Sequence, residues 1–136
     1  MQLLVNIDVD DLARATDFYC TAFGLHTGRR FGADGVELLG GTAPLYLLVK
    51  PAGSPAFPGA AQRRDYARHW TPVHFDIVVD DVDAAVARAV AAGARLEQPA
   101  RSANWGRMAL LADPFGNGFC LLQFLGRGYD EIATPS

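Results

Sequence analysis

The chain has 136 residues, half of them apolar, which is material for one core of ordinary domain size and too little for two independent ones. Twelve Lys and Arg against fifteen Asp and Glu leave a formal charge of −3. The arginine pairs Arg29–Arg30 and Arg63–Arg64 stand isolated, so the dense basic face of a nucleic-acid binder is not expected. No run of about eighteen apolar residues occurs, as a membrane-spanning helix would need, and the opening Met-Gln-Leu-Leu-Val-Asn has no basic, leader-like region. A cytoplasmic protein is the expectation, and Cys20 and Cys120, with no CxxC spacing, read as free thiols of a reducing compartment.

In chain order, Leu3, Val5, Ile7 and Val9 alternate with Leu4, Asn6 and Asp8, the period-two pattern of a strand with one buried face. Asp11 stands where a helix N-cap is wanted, helical spacing follows at Leu12, Ala15, Tyr19 and Ala22, and Gly24 supplies a stop. Residues 26–35 show no periodicity and read as a loop. Val36–Leu39 and Leu45–Val49 read as strands joined by Gly40-Gly41-Thr42-Ala43. The long stretch 51–72 is a spacer or a flap.

The opening pattern then returns. Val-His-Phe-Asp-Ile-Val-Val-Asp-Asp-Val at 73–82 repeats Leu-Leu-Val-Asn-Ile-Asp-Val-Asp-Asp-Leu at 3–12, with Asp81 as the second N-cap. Val82, Ala85, Val86, Ala89 and Val90 carry the second helix to Gly93. Residues 96–106 again lack periodicity. Met108–Leu111 and Phe119–Phe124 read as strands joined by Asp113-Pro114-Phe115-Gly116-Asn117, rich in turn formers. The expected fold class is α+β: two tandem βαβββ modules, about 1–50 and 73–126, forming a curved mixed sheet around a central cleft within one domain. The connector 51–72 and a tail at 127–136 complete the chain.

This order, with Val-Asp-Asp-Leu-Ala-Arg-Ala-Thr-Asp-Phe-Tyr at 9–19 and Trp-Gly-Arg at 105–107 leading to Asp-Pro-Phe-Gly-Asn, resembles the vicinal oxygen chelate superfamily. That group contains glyoxalase I, extradiol dioxygenases, fosfomycin-modifying enzymes and bleomycin-resistance proteins, and the resemblance spans about 3–125. It implies four metal-ligand positions, one on the first and one on the last strand of each module, which fall on Leu4, Tyr46, His74 and Cys120. Leu4 has no donor atom, the Tyr46 hydroxyl ionises only near pH 10, and Cys120 puts a thiol where the family has a carboxylate. Two workable donors, His74 and Cys120, fall short of the three typical of catalytic zinc. The expectation is therefore no cofactor, with a divalent metal as the disfavoured alternative.

By strand alternation, Leu4, Asn6, Asp8, Tyr46 and Leu48 share one sheet face, and His74, Asp76, Val78, Cys120, Leu122 and Phe124 share its counterpart. A mostly apolar lining with a few polar groups is the usual constitution of a small-molecule site. Asn6, Tyr46, His74, Asp76, Trp105 and Cys120 are the ligand-contact candidates. His74, Asp76 and Tyr46 are the catalytic candidates, with His74 as a hydrogen-bonding or general-base group tuned by Asp76. Asp8 reads as a solvated strand end and Asp76 either as a ligand contact or as the partner of His74. Trp105 either borders the ligand or lids the core, Arg107 reads as a surface salt bridge, and Tyr66, His69 and Trp70 are flap candidates. A Cys120–His74–Asp76 nucleophile arrangement is disfavoured, because apolar neighbours keep a thiol protonated.

Three functional readings follow. The first is a metal-independent binding protein of the glyoxalase/bleomycin-resistance type that sequesters a small organic ligand, aromatic or cationic, and forms a C2 homodimer. The second is an enzyme built around His74, either a metal-dependent lyase, isomerase or dioxygenase or a metal-free acid/base catalyst. The third is a domain whose cleft packs against a partner protein. A small-molecule partner is favoured, with neither nucleic acid nor membrane.

Overall fold

The computed structural model describes residues 1–136, which divide into two compact units, Met1–Ala67 and Arg68–Ser136. Each unit is one α-helix on a four-stranded mixed sheet.

The first unit runs β1 (Val5–Val9), α1 (Leu12–Phe23), β2 (His26–Arg30), β3 (Gly35–Leu39) and β4 (Leu45–Val49), with sheet order β1-β4-β3-β2. β1 lies parallel to β4, and the remaining pairs are antiparallel. Helix α1 starts where the Asp11 carboxylate accepts a hydrogen bond from the Arg14 N–H at 3.0 Å, satisfying an N–H that has no partner inside the helix. It stops at Gly24, whose φ of 66° suits a residue without Cβ. Ala15, Phe18, Tyr19 and Ala22 are the buried face of α1, and Ile7, Val9, Val36, Leu38 and Leu47 are the buried apolar side chains of its sheet.

The second unit repeats the plan as β5 (Phe75–Val78), α2 (Val82–Ala92), β6 (Arg95–Ala103), β7 (Gly106–Ala112) and β8 (Gly118–Phe124), in the order β5-β8-β7-β6. Asp81 caps α2 through the Ala84 N–H at 3.0 Å. Val82, Ala85 and Ala89 of the helix are buried, as are Ala109, Leu111, Phe119 and Leu121 of the sheet. The turn at 113–117 is built by one buried carboxylate: Asp113 accepts from the N–H groups of Phe115 and Asn117 and from the Asn117 side-chain amide, at 2.8, 2.9 and 2.9 Å. The turn thereby drives Phe115, 1% exposed, into the core. Gly106 is required by close approach, because a Cβ there would lie 2.3 Å from the Gln123 carbonyl oxygen across the β7–β8 pair.

Two segments read as loops are strands. All five residues of β2 are exposed, and β6 carries Arg95, Glu97 and Pro99 with two register shifts against β7. Both are edge strands held by backbone pairing, so neither shows the alternation that burial imposes. Leu4 and His74 each lie one residue before the regular strand. The connector is tied down rather than loose. Within the first unit Gly53 N–H donates to Arg64 and Arg64 N–H to Ser54, and the Tyr66 hydroxyl donates to the Lys50 carbonyl at 2.7 Å. Within the second, His69 N–H donates to Gly116, and the His69 ring lies 2.9 Å from Asn117 Oδ1.

Candidate functional site

In the first unit the sheet face away from α1 is polar but already engaged. The register places Asn6 beside Tyr46 and Tyr46 beside Glu37. Glu37 is 6% exposed and fully partnered. It accepts from Arg29 Nε at 3.0 Å, Arg29 Nη2 at 2.6 Å, the Arg29 backbone N–H at 3.1 Å and the Tyr46 hydroxyl at 2.9 Å. These hydrogen bonds, chiefly those from the Arg29 side chain, hold the Glu37 carboxyl down at about 2 and push the Arg29 guanidinium up. Asp8 is not a solvated strand end. It accepts from Arg64 Nε at 2.7 Å, and the same guanidinium reaches Ser54 Oγ and the carbonyls of Pro55 and Ala56, pinning the connector to β1. Asn6 and Leu4 are exposed.

In the second unit the corresponding polar groups engage one another. His74 Nε2 lies 3.3 Å from Asp76 Oδ1, and the parallel β5–β8 register puts Asp76 opposite Cys120. The three donor atoms lie within 4.8 Å of one another. Cys120 is 4% exposed. Burial first, then its hydrogen bond to Asp76 and that carboxylate's charge, push its thiol up to about 12, so at neutral pH it is a protonated thiol and not a ready nucleophile. Val78 and Leu122 continue this face, the former exposed and the latter buried. Asp76 thereby joins His74 and Cys120 as a third donor group.

The remaining candidates lie apart from this group. Trp105 is half-buried with its ring centroid 5.4 Å from that of Tyr129, and Tyr129 meets Phe124 edge-on at 4.8 Å, so the 3-10 turn Gly128–Glu131 of the tail lids this end of the sheet. Arg107 bridges Asp83 at 2.9 Å and Ser102 at 2.9 Å on the surface, as expected. Trp70 is 81% exposed. Sequence reasoning missed Glu37, its partner Arg29, the Arg64 anchor and Tyr129. A carboxylate inside the apolar run Val36-Glu37-Leu38-Leu39 was the available signal for the first, since a buried charge needs a partner.

A glyoxalase-like domain model matches residues 4–122. This chain belongs to the glyoxalase-like domain family. The glyoxalase-like chain is accordingly a member of the vicinal oxygen chelate superfamily. It is 34% identical over 119 residues to an uncharacterized protein of Mycobacterium bovis, covering 85% of this chain and 78% of the relative. Among solved structures, a glyoxalase-related enzyme from Fulvimarina pelagi aligns with a TM-score of 0.70 at 19% identity, over 90% of this chain and 87% of that one. The fosfomycin resistance protein of Listeria monocytogenes aligns with a TM-score of 0.69 at 17% identity, over 92% and 93%. At such identities the structural likeness shows the fold alone.

The superfamily's four-donor metal arrangement does not fit this glyoxalase-like chain. Leu4 is a hydrocarbon, and the Tyr46 hydroxyl donates to Glu37 while accepting from Arg29 Nη2 at 3.0 Å. Releasing that hydroxyl as a ligand would leave the buried Glu37 carboxylate short of a donor. No helix is long and apolar enough to cross a membrane.

Proposed function

We propose that this glyoxalase-like chain is a small-molecule-binding protein that sequesters a small organic ligand bearing a cationic or hydrogen-bond-donating group, and needs no metal to do so. The observation that carries this reading is the contrast among its polar groups: Tyr46 and Asp8 are bound to Glu37, Arg29 and Arg64, whereas His74 and Asp76 stand at the surface of an otherwise apolar face. Asp76 supplies the negative charge, His74 an adjacent donor or acceptor, and Val78 apolar contact. Asn6 is the corresponding polar contact offered by the first unit. The protonated Cys120 argues for capture over thiol catalysis, and a homodimer in the cytoplasm is the expected setting.

A thermal-shift screen of aromatic amines and cationic antibiotics, run with and without a chelator, tests the proposal. A bound ligand at a hundred times its Kd adds about 2.7 kcal/mol of stability. The same shift is expected in both conditions and is expected to vanish in Asp76→Asn. A shift that requires added metal, or no shift across the panel, would count against metal-free capture.

A further inference from the structure

We propose that Arg101 binds a carboxylate at the edge of the second sheet opposite Asp76, so that the captured ligand is amphoteric: a cationic or hydrogen-bond-donating group at one end, a carboxylate at the other and an apolar, aromatic middle. This rests on the capture reading above and names the class of molecule that the same face takes.

The backbone of β6 aims Arg101 at that face. Gln98 stands opposite Leu110 and Arg101 opposite Met108, so three steps along β6 match two along β7, with a register shift between them. Simple alternation would send residues three apart to opposite sides of the sheet. The bulge instead returns Arg101 to the side of Gln98. That side is the helix-free one. On β7, Arg107 points the other way and reaches Asp83 of α2, and Ala109 and Leu111, which share its side, are fully buried.

The charge of Arg101 is uncommitted. Arg68 and Arg95 pair with Glu97, Arg107 with Asp83 and Arg127 with Glu131, whereas Arg101 is exposed and has no acidic partner. Asp76 lies on β5, at the far edge of the β5-β8-β7-β6 sheet, three strand spacings or about 14 Å across. That exceeds the screening length of about 8 Å at physiological ionic strength, so the two charges do not satisfy one another through solvent. The strands between them supply an apolar floor of Cys120 and Leu122 from β8 and Met108 and Leu110 from β7. Leu122 stands beside both Val78 and Met108, and Met108 beside Arg101, which makes one continuous row from edge to edge. The Met108 thioether and the Cys120 thiol are polarisable and favour an aromatic ring over an alkyl chain. At the end of the row the planar guanidinium fork of Arg101 can donate two parallel hydrogen bonds to one carboxylate.

The test is calorimetric titration of the full chain with a para-linked aminomethyl-biphenyl carboxylic acid and with its methyl ester, which keeps the amine and the rings but loses the negative charge. The parent is expected to bind the acid about fivefold or more tightly than the ester. In Arg101→Gln, a surface change, the acid should fall to the affinity of the ester. Arg101→Lys should keep part of the preference, because the charge remains while the fork is lost. Asp76→Asn should weaken acid and ester alike. Equal binding of acid and ester by the parent, or a preference for the acid that survives in Arg101→Gln, would overturn the role of Arg101 and leave capture by Asp76 standing. Binding of neither compound would overturn both.

Discussion

The two units share one plan but use their polar residues in opposite ways. On the helix-free face of the first, Glu37, Arg29, Tyr46, Asp8 and Arg64 are paired among themselves, and their bonds hold β2, β3, β4 and the connector together. On the matching face of the second, His74 and Asp76 lie at the surface and meet each other and Cys120. Polar groups that hold the fold cannot be released cheaply to a ligand, because each leaves an unsatisfied partner behind. On the proposed reading, recognition falls to the second face and stability to the first.

The largest effect sought against that contrast lies in the second unit's own scaffold. Phe115→Ala removes the buried ring that the Asp113 turn inserts, with an expected loss of about 3–5 kcal/mol in chemical denaturation. The first unit's Gly40–Ala43 turn has no such plug, so Thr42→Ala is expected to stay within about 0.5 kcal/mol of the parent.

Next is Glu37→Gln, which is expected to lower the melting temperature at neutral pH, whereas Asp76→Asn leaves it nearly unchanged. The pH dependence sharpens the difference. Because the folded-state pKa of Glu37 is depressed to about 2, its contribution is present above the ordinary glutamate value of about 4.3 and is lost as pH falls toward 2. The acid limb of the stability profile should be shallower in Glu37→Gln than in the parent. Equal acid limbs would break the assignment.

A smaller effect is expected at alkaline pH. The Cys120 thiol is raised to about 12, so its contribution is complete below the ordinary thiol value of about 8.5 and is lost as pH rises from there toward 12. Subtracting the profile of Cys120→Ala from that of the parent should leave a difference that declines over this window. The smallest effect is at the tail, where Tyr129→Ala removes the ring contacts to Trp105 and Phe124 and should cost about 0.5–1.5 kcal/mol through them.

The repeat, both N-caps, both helix stops and the pairing of the inner strands were legible because each follows from local chemistry: a carboxylate before a helix, a glycine after it, period-two burial along a strand. β2 and β6 were not, since an edge strand with solvent on its sides has no apolar signature. The candidate site was legible in part. His74, Asp76 and Cys120 could be placed on one face by counting alternate residues, but their convergence depends on the parallel register of β5 with β8. That Tyr46 is occupied depends on Arg29 and Glu37, eight residues apart and joined only when β2 pairs with β3. The ring partner of Trp105 was not legible either, because Tyr129 comes from a tail with no periodicity.

The division of labour between the two faces is tested most directly by amide chemical-shift mapping with a ligand that raises the melting temperature. The account predicts that perturbations concentrate at Asp76, Val78, Cys120 and Leu122 while Arg29, Glu37 and Tyr46 stay still. Perturbations confined to Arg29, Glu37 and Tyr46 would contradict it.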